Sequence, residues 1–233
     1  MATQDPSTEV PAVVLSAAQR VNIGEFRRAF VRVKKARFKP DTVEFTLYEF
    51  AEGIVFQSAT EPERASAFAW RGAVRVYLAG LVISGGGKHT LTYSYSMEME
   101  GGGSLKVGGK VELRGKYQLT GRGKPPDSEQ ELYVRLSESQ QRVSQRLLPL
   151  ARAALADGKK VLFDKVKVGN TGLYTEDGLI PWSAITSVKV ADGHVTVRVE
   201  GRGRLRPALN LSMYELPNSP LFMTLVNDMM QAR

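Results

Sequence analysis

The chain has 233 residues, 42% of them hydrophobic, and its 32 basic and 24 acidic side chains give a net charge of +8. This length and composition are typical of a folded protein with one large or two small domains, and they exclude a disordered chain. Cysteine is absent. Its absence excludes disulfides, zinc–thiolate sites and thiol nucleophiles, and it indicates a reducing compartment.

The first twelve residues, MATQDPSTEVPA, are polar and contain two prolines. They predict a flexible tail over residues 1–12. They have neither the basic nor the apolar region of a secretory signal, and no run in the chain approaches 18 apolar residues. We therefore expect a cytoplasmic protein, with peripheral recruitment to a membrane as the alternative. A short helix is predicted next, over Val13–Val21.

Alternating polar and apolar residues then predict antiparallel strands. The clearest alternation runs from Leu91 to Met99 and predicts that Tyr93 and Tyr95 point into the core. The GGGKHT motif before it is not a phosphate-binding loop, because it lacks the earlier glycine and the Ser or Thr after the lysine. It is interpreted as a hairpin turn. Further strands are predicted at Val43–Leu47, Val74–Leu78, Lys106–Leu113, Tyr117–Thr120 and Leu132–Leu136.

A helix is predicted over residues 137–157. Ser137 and Gln140 have the spacing of a capping box, and apolar residues recur at helical intervals up to the stop at Asp157–Gly158. Pro149 lies inside this segment and predicts a kink or two abutting helices. The helix would close a first domain over residues 13–157.

Alternation resumes at Val161, and a last helix over residues 219–231 follows Asn218. These elements predict a second, smaller domain over residues 158–233. The order of strands followed by a helix therefore occurs twice, which is typical of a duplicated small domain.

A short repeat supports the duplication. EGIVF at residues 52–56, followed by FAWRGAVRV, resembles EDGLI at residues 176–180, followed by PWSAITSVKV. The repeat predicts that Trp70 and Trp182 anchor a strand to the closing helix in each half, with Ile185 beside the second tryptophan. It pairs Gly53, Trp70, Ala73 and Val76 with Gly178, Trp182, Ile185 and Val188.

The glycine turn that leads into the Trp motif, followed by strands and one helix, resembles the pleckstrin-homology-like (PH-like) fold. The segments LYEFAEGIVF, HTLTYSYSMEMEGGGSL, KKVLFDKVKV, LIPWSAI and ELPNSPLFMTLV resemble those of a bacterial family of uncharacterised function built from two such halves. The resemblance implies a mainly β protein with two tandem PH-like barrels or curved antiparallel sheets, each closed by a C-terminal helix. It implies no catalytic residue, since PH-like domains elsewhere bind phosphoinositides, peptides or proteins.

One basic segment is a candidate anion site. RRAFVRVKKARFK at residues 27–39 contains seven basic residues and no acid, so strand alternation would place Arg28, Arg32 and Lys34 on one face and Lys35 on the other. Such a strand could contact the phosphates of an anionic lipid headgroup or another polyanion. It could equally be a solvated outer face.

No acid, base, nucleophile or metal-ligand set converges in the sequence, so neither an enzyme nor a cofactor is predicted. Nucleic acid is disfavoured because no RNA-binding or DNA-binding motif accompanies the charge. We expect a non-enzymatic scaffold that binds a protein or peptide partner. Peripheral binding to anionic lipid through Arg28, Arg32, Lys34 and Lys35 is the alternative.

Overall fold

The computed structural model describes residues 2–4, 9–34, 40, 42–85, 88–113, 128–201 and 207–232. Within these residues the protein is mainly β, with four antiparallel sheets and three α-helices. The expected barrel closure is not found among the described strands, because the four sheets stay separate.

The first half contains β1 (Ala2–Gln4), α1 (Ala12–Arg20), β2 (Phe26–Lys34), β3 (Thr42–Phe50), β4 (Gly53–Ser58), β5 (Ser66–Ala69), β6 (Ala73–Gly85), β7 (Lys88–Met99), β8 (Ser104–Leu113) and α2 (Ser128–Ala156). A 3-10 turn, Trp70–Gly72, separates β5 from β6. The first sheet has the order β1-β2-β3-β4-β5 and the second the order β6-β7-β8.

The second half contains β9 (Val161–Phe163), β10 (Val166–Gly169), β11 (Gly172–Thr175), β12 (Gly178–Pro181), β13 (Ile185–Ala191), β14 (His194–Val199), β15 (Leu209–Ser212) and α3 (Ser219–Gln231). The 3-10 turn Trp182–Ala184 separates β12 from β13. The sheets have the orders β12-β11-β10-β9 and β13-β14-β15. Apart from β1 and α1 of the first half, each half thus has four meandering strands, a turn that starts with Trp, three strands and a helix.

Backbone hydrogen bonds repeat between the halves. The Trp70 N–H donates to the Glu52 carbonyl at 3.0 Å, and the Trp182 N–H donates to the Thr171 carbonyl at 3.2 Å. The strand after each turn is bulged at its start, between Ala73 and Arg75 in β6 and between Ile185 and Ser187 in β13. Trp70 and Trp182 therefore occupy equivalent elements.

The predicted pairing of Gly53 with Gly178 is wrong. Gly53 begins β4, and its counterpart is Gly172, which begins β11. A Cβ on Gly53 would lie 2.5 Å from the Phe68 carbonyl oxygen, and one on Gly172 would lie 2.1 Å from that of Ile180. The sequence comparison missed this match because the loop after β4 is longer than the turn after β11.

Three hydrophobic clusters hold the chain together. One lies between the two sheets of the first half and the N-terminal part of α2, and it includes Trp70, Tyr93 and Tyr95. The second lies in the second half and includes Trp182 and Ile185. All five side chains are buried. The third cluster packs α1 against the outer face of the first sheet.

Helix α2 differs from its prediction. It begins at Ser128, so Leu132–Leu136 is helical and not a strand. Leu132 and Leu136 are fully buried whereas Val134 is 36% exposed, which is the spacing of one helix face. Ser137 lies inside the helix, and Gln140 donates its side-chain amide to the Val76 carbonyl at 3.1 Å instead of capping. Pro149 also lies within α2.

The C-terminal part of α2 belongs to both halves. Ala151 and Leu155 are buried in the second cluster, and Leu147 contacts both clusters. The helix ends at the predicted stop, where the Gly158 N–H donates to the Leu155 carbonyl at 2.9 Å. The closing helix of the first domain is therefore also a core element of the second.

The N-terminal segment is partly structured. Ala2–Gln4 pairs antiparallel with β2, from Ala2 opposite Val31 to Gln4 opposite Ala29. The prediction of a flexible tail is therefore wrong for these three residues. The strand predicted at Tyr117–Thr120 lies outside the described residues.

Candidate functional site

The basic strand β2 faces helix α2. Arg28 donates to the carboxylate of Glu131 and lies 3.4 Å from a carboxylate oxygen of Glu49. Arg32 donates to the Glu129 carboxylate at 2.6 Å. These ion pairs join the first sheet to the start of the helix. Their side chains are at most one third exposed.

Arg32 belongs to a compact polar cluster. The Tyr93 hydroxyl donates to the same Glu129 oxygen at 2.8 Å, and the Arg32 guanidinium lies 5.4 Å from the centre of the Phe45 ring. Burial, with the Glu129 charge, raises the pKa of the Tyr93 phenol, so the phenol stays protonated and donates. The cluster lines a cleft of about 750 Å³ together with Gly109 and Lys110.

Of the four predicted anion-site residues, the structure describes Arg28, Arg32 and Lys34, and these three do not form one cationic patch. Arg28 and Arg32 are paired with carboxylates, Lys34 at the end of β2 is exposed, and Lys35 lies outside the described residues. The partners Glu129 and Glu131 were not predicted, because a helix that starts at Ser137 does not include them. The acidic first turn of α2 was the signal that could have revealed them.

Among the described residues, no group of three or more His, Asp or Glu side chains could hold a metal ion. His89 accepts or donates a 2.7 Å hydrogen bond with the neighbouring Ser84 hydroxyl. Tyr95, whose pKa is raised by burial, shares a 2.9 Å hydrogen bond with the Ser139 hydroxyl inside the core.

The outer edge of β6 is the second feature. Near its start the edge is covered by Asn218, the residue before α3. The Asn218 side chain accepts from the Val76 N–H at 3.0 Å and donates to the Val74 carbonyl at 2.9 Å. Its backbone N–H donates to the Val76 carbonyl at 2.7 Å. The amide side chain thus imitates one peptide unit of a paired strand.

Beyond this contact the described residues leave only part of the edge free. The second half still touches β6 at Gly80, since a Cβ on Gly193 would lie 3.5 Å from the Gly80 carbonyl oxygen. From Leu81 onward β6 pairs with β7 alone. We call the segment Leu81–Ser84 the free edge.

The free edge is apolar. Leu81, Val82 and Ile83 are 47%, 39% and 55% exposed. No charged residue occurs between Arg75 and Lys88. Natural sheets protect their edges with lysines, prolines, bulges or covering segments. The bulge of β6 lies at Ala73, and Asn218 covers the edge only near Val76, so neither protects the free edge.

The second half lacks this extension. By the shared bulge, Val188 to Ala191 correspond to Val76 to Ala79, and β13 then ends in a turn. Strands β6 and β7 have 13 and 12 residues, whereas β13 and β14 have 7 and 6. The free edge therefore lies entirely in the part of the hairpin added to the shared plan.

The free edge was not predicted, because strands were located by alternation. LVIS does not alternate, so the predicted strand ended before it. The signal that could have revealed it was a run of three large apolar residues with no charge for at least four residues on either side.

None of the described helices is both long enough and apolar enough to cross a membrane.

A family described as a family of unknown function, DUF6585, matches residues 131–233. This span is less than half of the chain and consists of α2 from its fourth residue together with the whole second half. No curated protein matches the chain. The match indicates a relation to an uncharacterised family and carries no activity.

Proposed function

We propose that the protein is a non-enzymatic scaffold with two PH-like halves, and that it binds an extended segment of a protein partner at the free edge. The PH-like assignment is supported by the repeated order of four strands, three strands and a helix, and by the equivalent turns at Trp70 and Trp182. The family match over residues 131–233 covers the second such unit and α2 from its fourth residue.

The observation that carries the proposal is the exposed apolar free edge. An extended peptide can add to such an edge, because its main chain satisfies the unpaired backbone groups and its side chains contact alternate positions. Asn218 already makes contacts of this kind with Val74 and Val76 in the same strand. A partner strand would continue the pairing along β6.

Lipid binding through the basic strand is the alternative. It requires Arg28 and Arg32 to exchange the carboxylates of Glu131 and Glu129 for phosphates. The ion pairs weigh against this exchange, since releasing the arginines would leave the partly buried carboxylates of Glu129 and Glu131 without their cationic partners. The absence of cysteine supports a cytoplasmic location for either function.

Peptide selection tests the proposal. Random peptides displayed on phage would be selected against the wild-type protein and counter-selected against the Val82→Lys variant. We expect enriched peptides rich in β-branched and aromatic residues, with at least tenfold weaker binding to Val82→Lys.

Val43→Lys is the matched control, because Val43 is similarly exposed but lies on β3. It should bind the selected peptides as well as wild type does. If selection yields no peptides, or yields peptides that bind Val82→Lys equally well, the free edge is not the binding site.

A further inference from the structure

The contacts of Asn218 reveal which backbone groups face the free edge. Asn218 bonds the Val74 carbonyl and both backbone groups of Val76. In an antiparallel ladder the groups of successive residues point alternately to opposite sides. The N–H and C=O groups of Gly80, Val82 and Ser84 therefore point outward, to the side that β7 does not occupy.

We propose that the partner at the free edge is a second copy of this chain, and that β6 pairs antiparallel with its own counterpart with Val82 opposite Val82. This inference rests on the proposed function and names its partner. A two-fold axis perpendicular to the sheet pairs residues of the same face. It places Leu81 opposite the partner's Ile83 and Gly80 opposite the partner's Ser84.

The pairing satisfies the backbone. The outward N–H and C=O groups of Val82 exchange two hydrogen bonds with those of the second Val82. Gly80, at the end of this pairing, already contacts Gly193 of its own chain. The two three-stranded sheets then form one six-stranded sheet. The exposed Leu81 and Ile83 side chains contact each other across the strands.

Charge favours a second copy of the strand. The whole chain carries +8, so two copies repel each other wherever basic surfaces meet. Between Arg75 and Lys88 the chain has no charge. Two identical free edges can therefore approach without placing like charges next to each other. The exposed apolar side chains of one copy then contact those of the other.

The second halves of the two copies lie at opposite ends of the paired segment. Antiparallel pairing about Val82 places the partner's Ala79 opposite Gly85, and the partner's earlier residues past the end of the hairpin. The second half lies at the opposite end of β6, against Val74 to Gly80. Each copy's second half therefore lies on its own side of the shared axis and, among the described residues, meets the paired segment only at Gly80.

The contact is small. Only Leu81, Val82 and Ile83 bring substantial exposed apolar surface from each copy, less than the area of a standard stable interface. We therefore expect a reversible dimer with a dissociation constant in the micromolar range or weaker.

A single introduced cysteine tests the register. Because the chain has no cysteine, Val82→Cys places one thiol on the proposed axis. Opposite residues of a hydrogen-bonded antiparallel pair have Cα atoms about 5.5 Å apart, a separation that a disulfide spans. Mild oxidation of dilute Val82→Cys should give a covalent dimer on a non-reducing gel.

Val190→Cys is the control, since Val190 is 49% exposed on the edge strand β13. It should stay monomeric under the same oxidation. Equal cross-linking of the two variants would overturn the register.

Sedimentation of the protein without cysteine tests association itself. The dimer fraction of wild type should rise with concentration, and Val82→Lys, which sets two lysines opposite each other, should lower the association constant at least tenfold. Val43→Lys should match wild type. Circular dichroism would check that both exposed-site variants are folded.

A wild-type protein that stays monomeric at every concentration would overturn the second-copy inference. If selected peptides still bind the free edge in that case, the proposed function stands with a different partner. If neither a dimer nor peptide binding is found, both are wrong.

Discussion

At the scale of single residues, the polar cluster at the start of α2 depends on a glycine. Gly109 lies directly opposite Tyr93 in the β7–β8 pair. A Cβ there would lie 1.8 Å from the Glu129 carboxylate and 2.6 Å from the Tyr93 ring. The missing side chain therefore lets Glu129 reach both Arg32 and Tyr93.

Gly109→Ala should destabilise the protein. The added methyl group forces Glu129 and Tyr93 apart, and overpacking of this kind costs about 1–3 kcal/mol. Gly101→Ala is the control, because a Cβ at Gly101 has no atom within 4 Å. Urea unfolding followed by circular dichroism would compare the two. Equal urea midpoints would show that the cluster accommodates the added methyl group without loss of stability.

At the scale of elements, the loop before α3 joins the halves. Asn218 has a left-handed backbone, with φ of +49°, and its side chain makes no capping bond to its own helix. It bonds β6 instead. The start of the last helix thus extends the sheet of the other half, and α2 contributes to both cores.

Asn218→Gly should weaken this junction. Glycine keeps the left-handed conformation but loses both side-chain hydrogen bonds, and we expect a loss of about 2–3 kcal/mol in the free energy of unfolding. Asp192→Gly is the matched control, since Asp192 has φ of +50° in an exposed turn. A chemical denaturation series measures both. Similar losses of unfolding free energy in the two variants would show that the change to glycine, and not the loss of the two side-chain hydrogen bonds, causes the effect.

At the scale of the whole molecule, the net positive charge overstates how many basic side chains can bind an anion, because some of them are paired with carboxylates. On β2, Arg28 and Arg32 are paired with the acids of β3 and α2, while Arg27 and Lys34 are exposed. Only exposed cations attract an anionic surface without breaking an ion pair. The strand therefore offers a membrane less charge than its sequence suggests.

The Arg27→Glu, Lys34→Glu double variant tests the lipid alternative without touching the ion pairs. At physiological salt, where exposed charges are screened beyond about 8 Å, wild type and variant should sediment equally little with vesicles of phosphatidylserine and phosphatidylcholine. Vesicles of phosphatidylcholine alone are the control. Strong binding by wild type that the double variant loses would favour lipid recruitment over protein binding.

Much of the fold was predictable because its signals are local. Alternation located most of the long strands, and the stop at Asp157–Gly158 located the end of α2. The start of α2 was not predictable in the same way. Leu132, Val134 and Leu136 fit a two-residue period, and only packing decides that Val134 stays outside.

The candidate site was less predictable, because it depends on partners distant in sequence. The basic strand was found from its composition, but Glu129 and Glu131 lie about 100 residues away and neutralise Arg32 and Arg28. The repeat was found from its tryptophans. Its true glycine match, Gly53 with Gly172, required knowing which strands pair.

By itself, the sequence determined a mainly β chain with two strand-then-helix units, because side-chain period, turn residues and helix stops act over a few neighbouring residues. The tertiary structure alone decided which arginines are neutralised, where Asn218 covers β6 and where the edge stays free. Those properties depend on which backbone and side-chain groups meet across the fold. They arise from contacts as distant as Val76 and Asn218, which no local pattern records.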